Sequence, residues 1–169
     1  MACAVVATVL LAQAQGVPEL LPAARPAGHA RLHVWGLPVY DARLWVGPGF
    51  RRGEFASHGF ALELGYLRKF SGADIARRSI VEMRRAGAFS AEQAARWEAD
   101  LRAIVPDVGP GDRITGIHLP GRSALFLVNG KPVGGVADPV FAPLFFAIWL
   151  GPRTSEPGLR ESLLAGTPP

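Results

Sequence analysis

The chain has 169 residues, 49% of them hydrophobic and 19% charged: enough for one domain with a sizeable core, and too apolar for a disordered or solvating segment. The net charge of +4 rests on 18 basic residues scattered along the chain, adjacent only in pairs such as Arg51-Arg52 and Arg68-Lys69. With no basic stripe interleaved with aromatics, nucleic acid is not an expected partner. The single cysteine, Cys3, excludes an internal disulfide framework and a cysteine-based metal site.

Ala2 to Ala12 is an apolar run that closes on Ala12-Gln13-Ala14, an A-x-A pattern of the kind signal peptidase cuts. It predicts a signal peptide over 1–14 and a periplasmic or otherwise exported protein. The run is too short for a transmembrane segment, which needs about 20 apolar residues. No Lys or Arg precedes Arg25, so the positive n-region is missing, and a buried N-terminal helix is the alternative. Gln15 to Gly28 holds three prolines and reads as a linker; 29–166 is the packed domain and Thr167 to Pro169 a tail.

Leu32, Val34 and Leu37 suggest a first strand, interrupted at Gly36-Leu37-Pro38 before a second over Tyr40 to Val46. Phe60, Leu62, Leu64 and Tyr66 alternate with Ala61, Glu63, Gly65 and Leu67, the period of a strand with one buried face. Ser71 with Asp74 is close to a capping box and opens a helix that runs to Gly87, with Ile75, Ser79 and Met83 in one line. Ser90 with Gln93 repeats the signal, and Ala94, Trp97, Leu101 and Ile104 keep helical spacing until Pro106. Arg113 to Leu119, Ala124 to Val128 and Lys131 to Val136 are three short strands, the last two joined by Asn129-Gly130, a strong hairpin signal. Asp138-Pro139 is an N-cap before a proline at the first helical position; Val140, Leu144, Phe145 and Ile148 form an apolar stripe that Gly151 ends. A last short helix holds Leu159, Leu163 and Leu164. Strands, two helices, a strand meander and further helices argue for α+β, an antiparallel sheet with a helical layer on one face.

Most chemical motifs are missing. His29, His33, His58 and His118 show no metal-ligand spacing, so no metal is expected. No G-x-S-x-G is present, and Gly134-Gly135 meets neither a dinucleotide nor a Walker pattern, so no cofactor is expected either. Asp41, Glu63 and Asp112 lie on separate elements, and Asp41 with Arg43 suits the wet face of an alternating strand.

Several segments occur in an order that resembles bacterial chalcone-isomerase-like proteins: Val39-Tyr40-Asp41-Ala42-Arg43-Leu44-Trp45, Tyr66-Leu67-Arg68, Ser79-Ile80-Val81-Glu82-Met83, Pro110-Gly111-Asp112, Asn129-Gly130-Lys131, Phe145 to Gly151, and Leu159 to Gly166. The resemblance implies an open-faced β-sandwich, a curved antiparallel sheet with helices on one side and a cleft between. In plant chalcone isomerases that cleft cyclises a chalcone: an Arg holds the phenolate, and a Tyr acting through water, with a Thr nearby, stabilises the enolate. Here Arg31 is the best match to that Arg, Asp41 falls about where the Thr would be, the Tyr-bearing segment is shortened to Phe70-Ser71-Gly72-Ala73-Asp74 without a Tyr, and Arg78 lies near a family Asn. An ionised Asp41 would repel a phenolate, so chalcone cyclisation is not expected. Related non-catalytic members bind fatty acids through an Arg and a Tyr, since both donate to ionised oxygens.

The resemblance therefore implies an exported, non-enzymatic domain that binds a fatty acid or similar small amphipathic ligand. Arg31, Tyr40, Asp41 and Arg78 are its candidate ligand-binding residues. An isomerase or intramolecular lyase acting in the same cleft is the alternative, and a structural or interaction protein the third reading. The binding hypotheses require Arg31 and Tyr40 to point into one apolar cleft between sheet and helices.

Overall fold

A computed structural model describes residues 17–169; the expected signal peptide lies outside them. A one-turn helix α1 (Val17–Leu20) leads into β1 (Arg25–Val34) and β2 (Leu37–Val46). After a short 3-10 segment (Arg52–Ser57) come β3 (Phe60–Tyr66), α2 (Gly72–Ala86) and α3 (Ala91–Ile104). The meander β4 (Arg113–Leu119), β5 (Ser123–Val128) and β6 (Lys131–Val136) follows, then α4 (Phe141–Leu150) and α5 (Pro157–Leu163). The six strands form one sheet in the order β1-β2-β3-β4-β5-β6, antiparallel throughout. This is the expected α+β architecture, an open antiparallel sheet carrying a helical layer.

Alternation assigns the two faces. Ala42, Leu44 and Val46 of β2, Phe60, Leu62 and Leu64 of β3, and Phe126 of β5 are buried toward the helices. Helix α4, Phe-Ala-Pro-Leu-Phe-Phe-Ala-Ile-Trp-Leu, has no charged or hydroxyl side chain and is buried around most of its circumference. The stripe expected on it is therefore too narrow: Phe141, Ala142, Phe146, Ala147, Trp149 and Leu150 are buried as well, while Val140 is exposed. Phe146 fits against Gly116 of β4, where a Cβ would come within 3.0 Å of its ring, and packs edge-on against Phe60. Burying side chains of this size is worth roughly 1.5–3 kcal/mol each.

Both expected helix starts are made: Ser71 Oγ accepts from Asp74 N–H, and Ser90 and Gln93 form a reciprocal capping box. Gly87 ends α2 in an extended conformation, and its missing side chain admits Leu144, which a Cβ would approach to 2.9 Å. The third start is displaced: α4 begins at Phe141 with Val140 as its N-cap, Pro139 lies in the turn before it, and Asp138 caps that turn, a carboxylate oxygen accepting from Val140 N–H at 2.9 Å and the carbonyl from Ala142 N–H at 3.4 Å. The same carboxylate accepts from Trp97 Nε1 at 2.9 Å, tying α3 to α4. Burial alone would raise the Asp138 pKa, but these hydrogen bonds outweigh it and hold the carboxyl below its usual range.

The segment expected to be a linker is structured from Val17 onward. Val17 and Leu21 are buried against Ala61, Ile117 and Leu127 on the sheet face away from the helical layer, and Arg25 to Gly28 already belong to β1. Prolines can sit here because β1 is an edge strand. Ala27 is the extra residue of a β-bulge, and its carbonyl accepts from Gly166 N–H at 2.9 Å. Gly28 lies so close to α5 that a Cβ would fall 2.2 Å from the Ser162 carbonyl oxygen.

Two stability outcomes follow. Asp138→Ala removes a cap and the acceptor of a buried indole N–H, and should lower unfolding free energy by about 2 kcal/mol in urea denaturation. His118 stacks on Phe60 at 4.8 Å, and burial depresses its pKa below 6.5 despite a 2.8 Å contact of Nδ1 with the His58 carbonyl. Its contribution is complete above the unfolded pKa and is lost as pH falls through the lower folded value. His118→Phe should flatten the stability profile in that window.

Candidate functional site

Arg31 and Tyr40 lie on opposite faces of the sheet. β1 and β2 are joined by a two-residue turn that pairs Val34 with Leu37 and His33 with Pro38. Continued without interruption, that register would set Arg31 opposite Tyr40. Between His33 and Leu32, however, the register shifts, with Val39 as the extra residue. Arg31 therefore pairs with Asp41, and Leu32 with Tyr40. One inserted residue reverses the face of everything beyond it. The expected meeting of Arg31 and Tyr40 in one cleft is not made.

On the face away from the helical layer, Arg31 grips Asp41 in a bidentate pair, Nε to Oδ1 at 2.6 Å and an Nη to Oδ2 at 2.9 Å. The hydrogen bond from Arg31 is the main reason the Asp41 carboxyl is held below the ordinary range. The pair borders a depression of about 320 Å³ lined by His29, Ala30, Arg31, Asp41, Ala42 and Arg43. Farther along the same face Glu63 is buried, accepts from Thr115 Oγ1 at 3.3 Å and lies 3.6 Å from Arg113. Burial raises its pKa against the pull of the arginines. This face is a mosaic of paired charges, with Arg31 already neutralised.

Tyr40 points the other way, into the space between sheet and helices. Its hydroxyl oxygen accepts from Trp149 Nε1 of α4 at 3.0 Å, and its ring stands edge-on to Tyr66 at 6.0 Å. Burial is the main cause that pushes the Tyr40 pKa up to about 12, with Glu156 and Glu82 adding to it. The phenol therefore stays protonated, and among the described residues it makes no hydrogen bond as a donor. It can offer that proton to an acceptor, but it is no base at neutral pH. Leu32, Phe70, Ile75 and Ile148 are half-buried apolar neighbours packed on the same core.

Arg78 belongs to this helix side, on α2. It is exposed and sits 2.6 Å from Glu82, whose other oxygen lies 3.1 Å from Arg85. Glu82 is buried, so the helix presents a carboxylate neutralised by two exposed guanidiniums. Of the four expected residues, the structure thus joins Arg31 with Asp41 on one face and places Tyr40 and Arg78 on the other. Sequence reasoning missed Trp149 as the partner of Tyr40. Both residues stand in the quoted segments, but the contact joins positions 109 apart, and no local pattern announces it.

Comparison with known proteins agrees with this architecture. A family model described as chalcone isomerase-like matches residues 56–165. The crystal structure of a fatty-acid binding protein from Arabidopsis thaliana superposes with a TM-score of 0.64 at 13% identity, covering 85% of this chain and 87% of that one. No curated protein matches the chain.

Tyr40→Phe and Trp149→Phe each break the phenol–indole bond. Losing the acceptor of a buried N–H should cost Tyr40→Phe about 1–2 kcal/mol. In a double-mutant cycle read by urea denaturation, the pair should destabilise by less than the sum of the two single changes.

Proposed function

Because the chain belongs to the chalcone isomerase-like family, we propose that it is an exported, non-catalytic binder of a fatty acid or another small amphipathic molecule. The observation that carries this reading is Tyr40: a protonated phenol, oriented by Trp149, set in the apolar layer between sheet and helices. A hydroxyl that must donate suits the ionised or carbonyl oxygen of an amphipathic head, and the surrounding aliphatic and aromatic side chains suit its tail. The solved fatty-acid binding protein of the same fold supports the reading. Arg78, exposed on α2 and paired with Glu82, is the cation that the helical layer offers among the expected residues.

Cyclisation chemistry is disfavoured by the same geometry. It needs a fixed cation at the attacking oxygen and a donor at the carbonyl oxygen in one cleft. Arg31 is committed to Asp41 across the sheet from Tyr40, so those two roles are not combined. The structural or interaction reading gains from that same commitment, since Arg31 and Asp41 act there as a cross-strand brace.

Native mass spectrometry of protein purified from its host should show a co-purifying fatty acid on a chain cleaved after Ala14. In titrations with lauric to stearic acids, Tyr40→Phe should weaken binding roughly tenfold, while Arg31→Ala should leave affinity close to that of the unmodified protein. An empty protein that binds none of these acids would favour the structural reading. Abolition of binding by Arg31→Ala would refute the assignment of the site to the helix side.

A further inference from the structure

The protein contains two hairpins closed by the same kind of turn. β5 and β6 are joined by Asn129-Gly130, with Val128 opposite Lys131, and φ is +50° and +79° at the two central residues. β1 and β2 are joined by Trp35-Gly36, with Val34 opposite Leu37, and φ is +49° and +75°. Positive φ at both positions is the signature of a type I′ turn, whose first position favours Asn or Asp because a larger side chain crowds its own carbonyl there. The second hairpin has the residue this geometry prefers. The first has a tryptophan, held in a conformation bulky residues rarely adopt.

That tryptophan packs on nothing. Trp35 is 97% exposed, and its neighbours Val34 and Leu37 are 41% and 48% exposed. The molecule thus carries a strained and fully solvated indole at the outermost point of its edge hairpin, flanked by two aliphatic side chains. Neither local propensity nor core packing explains it.

Charge indicates what meets it. The hairpin from Arg25 to Val46 contains one carboxylate, Asp41, which Arg31 already holds. At the base of the tip Arg68 donates through Nε to the Pro38 carbonyl at 3.2 Å, and Lys69 follows it, exposed. An apolar tip with Arg68 at its base and Lys69 next in sequence has the composition that partitions into the interface of an anionic bilayer, where an indole keeps its N–H among headgroups. A protein partner is the poorer match, because a tip of four residues falls far short of the ~800 Å² per partner of a stable interface.

We propose that the Val34–Leu37 hairpin tip is a membrane-surface anchor, with Trp35 inserting at the headgroup level and Arg68 and Lys69 engaging anionic headgroups. This goes beyond the ligand reading and does not depend on it. The anchor is peripheral, and among the described residues no helix is long and apolar enough to cross a membrane.

The test uses the full chain and vesicles of phosphatidylcholine with and without phosphatidylglycerol. Trp35→Asn restores the residue the turn prefers, so its urea midpoint should equal or exceed that of the unmodified protein. Its partition onto the anionic vesicles should fall roughly tenfold. Arg68→Gln and Lys69→Gln should each lower partition about fivefold on anionic vesicles only. Bromine-labelled acyl chains should quench the unmodified protein more than Trp35→Asn, which locates the indole even if another segment also binds lipid. Three results would overturn the proposal: equal partition of Trp35→Asn and the unmodified protein, a lowered urea midpoint in Trp35→Asn, or no vesicle binding together with Trp35-dependent self-association.

Discussion

Helix α4 has no face that water would tolerate, and the rest of the domain is arranged to enclose it. A surface helix needs only one apolar stripe; this one is covered by the sheet beneath, by α2 beside it and by α5 beyond its C-terminus. The requirement explains small details elsewhere. Gly116 lacks a side chain so that Phe146 can lie against β4, and Gly87 lacks one so that Leu144 can approach the end of α2. Asp138 joins the start of α4 to α3 through one carboxylate that serves a cap and an indole. Trp149, near the other end, finds its acceptor in Tyr40 of the sheet. These two side-chain hydrogen bonds sit at the two ends of α4, and the second of them is at the candidate site.

Most of the fold was legible because its signals are local. The strand signal in Phe60 to Tyr66, the Ser71 and Ser90 caps and the Asn129-Gly130 turn each report a nearby backbone requirement and have their counterparts in the structure, although β3 is buried on both faces, Ala61 and Glu63 included, and not on the one face its alternation suggested. The Gln15 to Gly28 segment was misread because prolines suggest a linker when no partner is in view. Here they occupy the one-turn helix α1, a turn and an edge strand, in a segment whose burial depends on Ile117, Leu127 and α5, far away in sequence. The breadth of the buried surface on α4 was underestimated for a similar reason: periodicity shows that a helix has an apolar face, but a helix apolar all round has no period to read.

The candidate site was harder to read, and one residue shows why. The sequence contains Arg31 and Tyr40 at a spacing that a regular two-residue hairpin would bring together. Val39, an ordinary strand residue with nothing to mark it as a bulge, moves them to opposite faces. The consequence is chemical. An arginine that would have been a cleft cation becomes half of a cross-strand ion pair, and the phenol is left to donate alone beside Trp149. Chemistry in this fold is thus set by register as much as by residue identity, which is why two chains sharing the architecture can differ in what their clefts contain.

The first strand also ties the ends of the described chain together. The bulged Ala27 carbonyl receives the Gly166 amide, Arg25 donates to the Gly166 carbonyl, and Gly28 lies against the carbonyls of α5, so the start of β1, Arg25 to Gly28, is covered by residues 162–166. Without α5, this stretch of β1 would present exposed backbone groups, the kind of edge that recruits strands from other molecules. Loss of 157–166 would therefore bare an adhesive stretch at the start of β1 that α5 and the residues after it conceal.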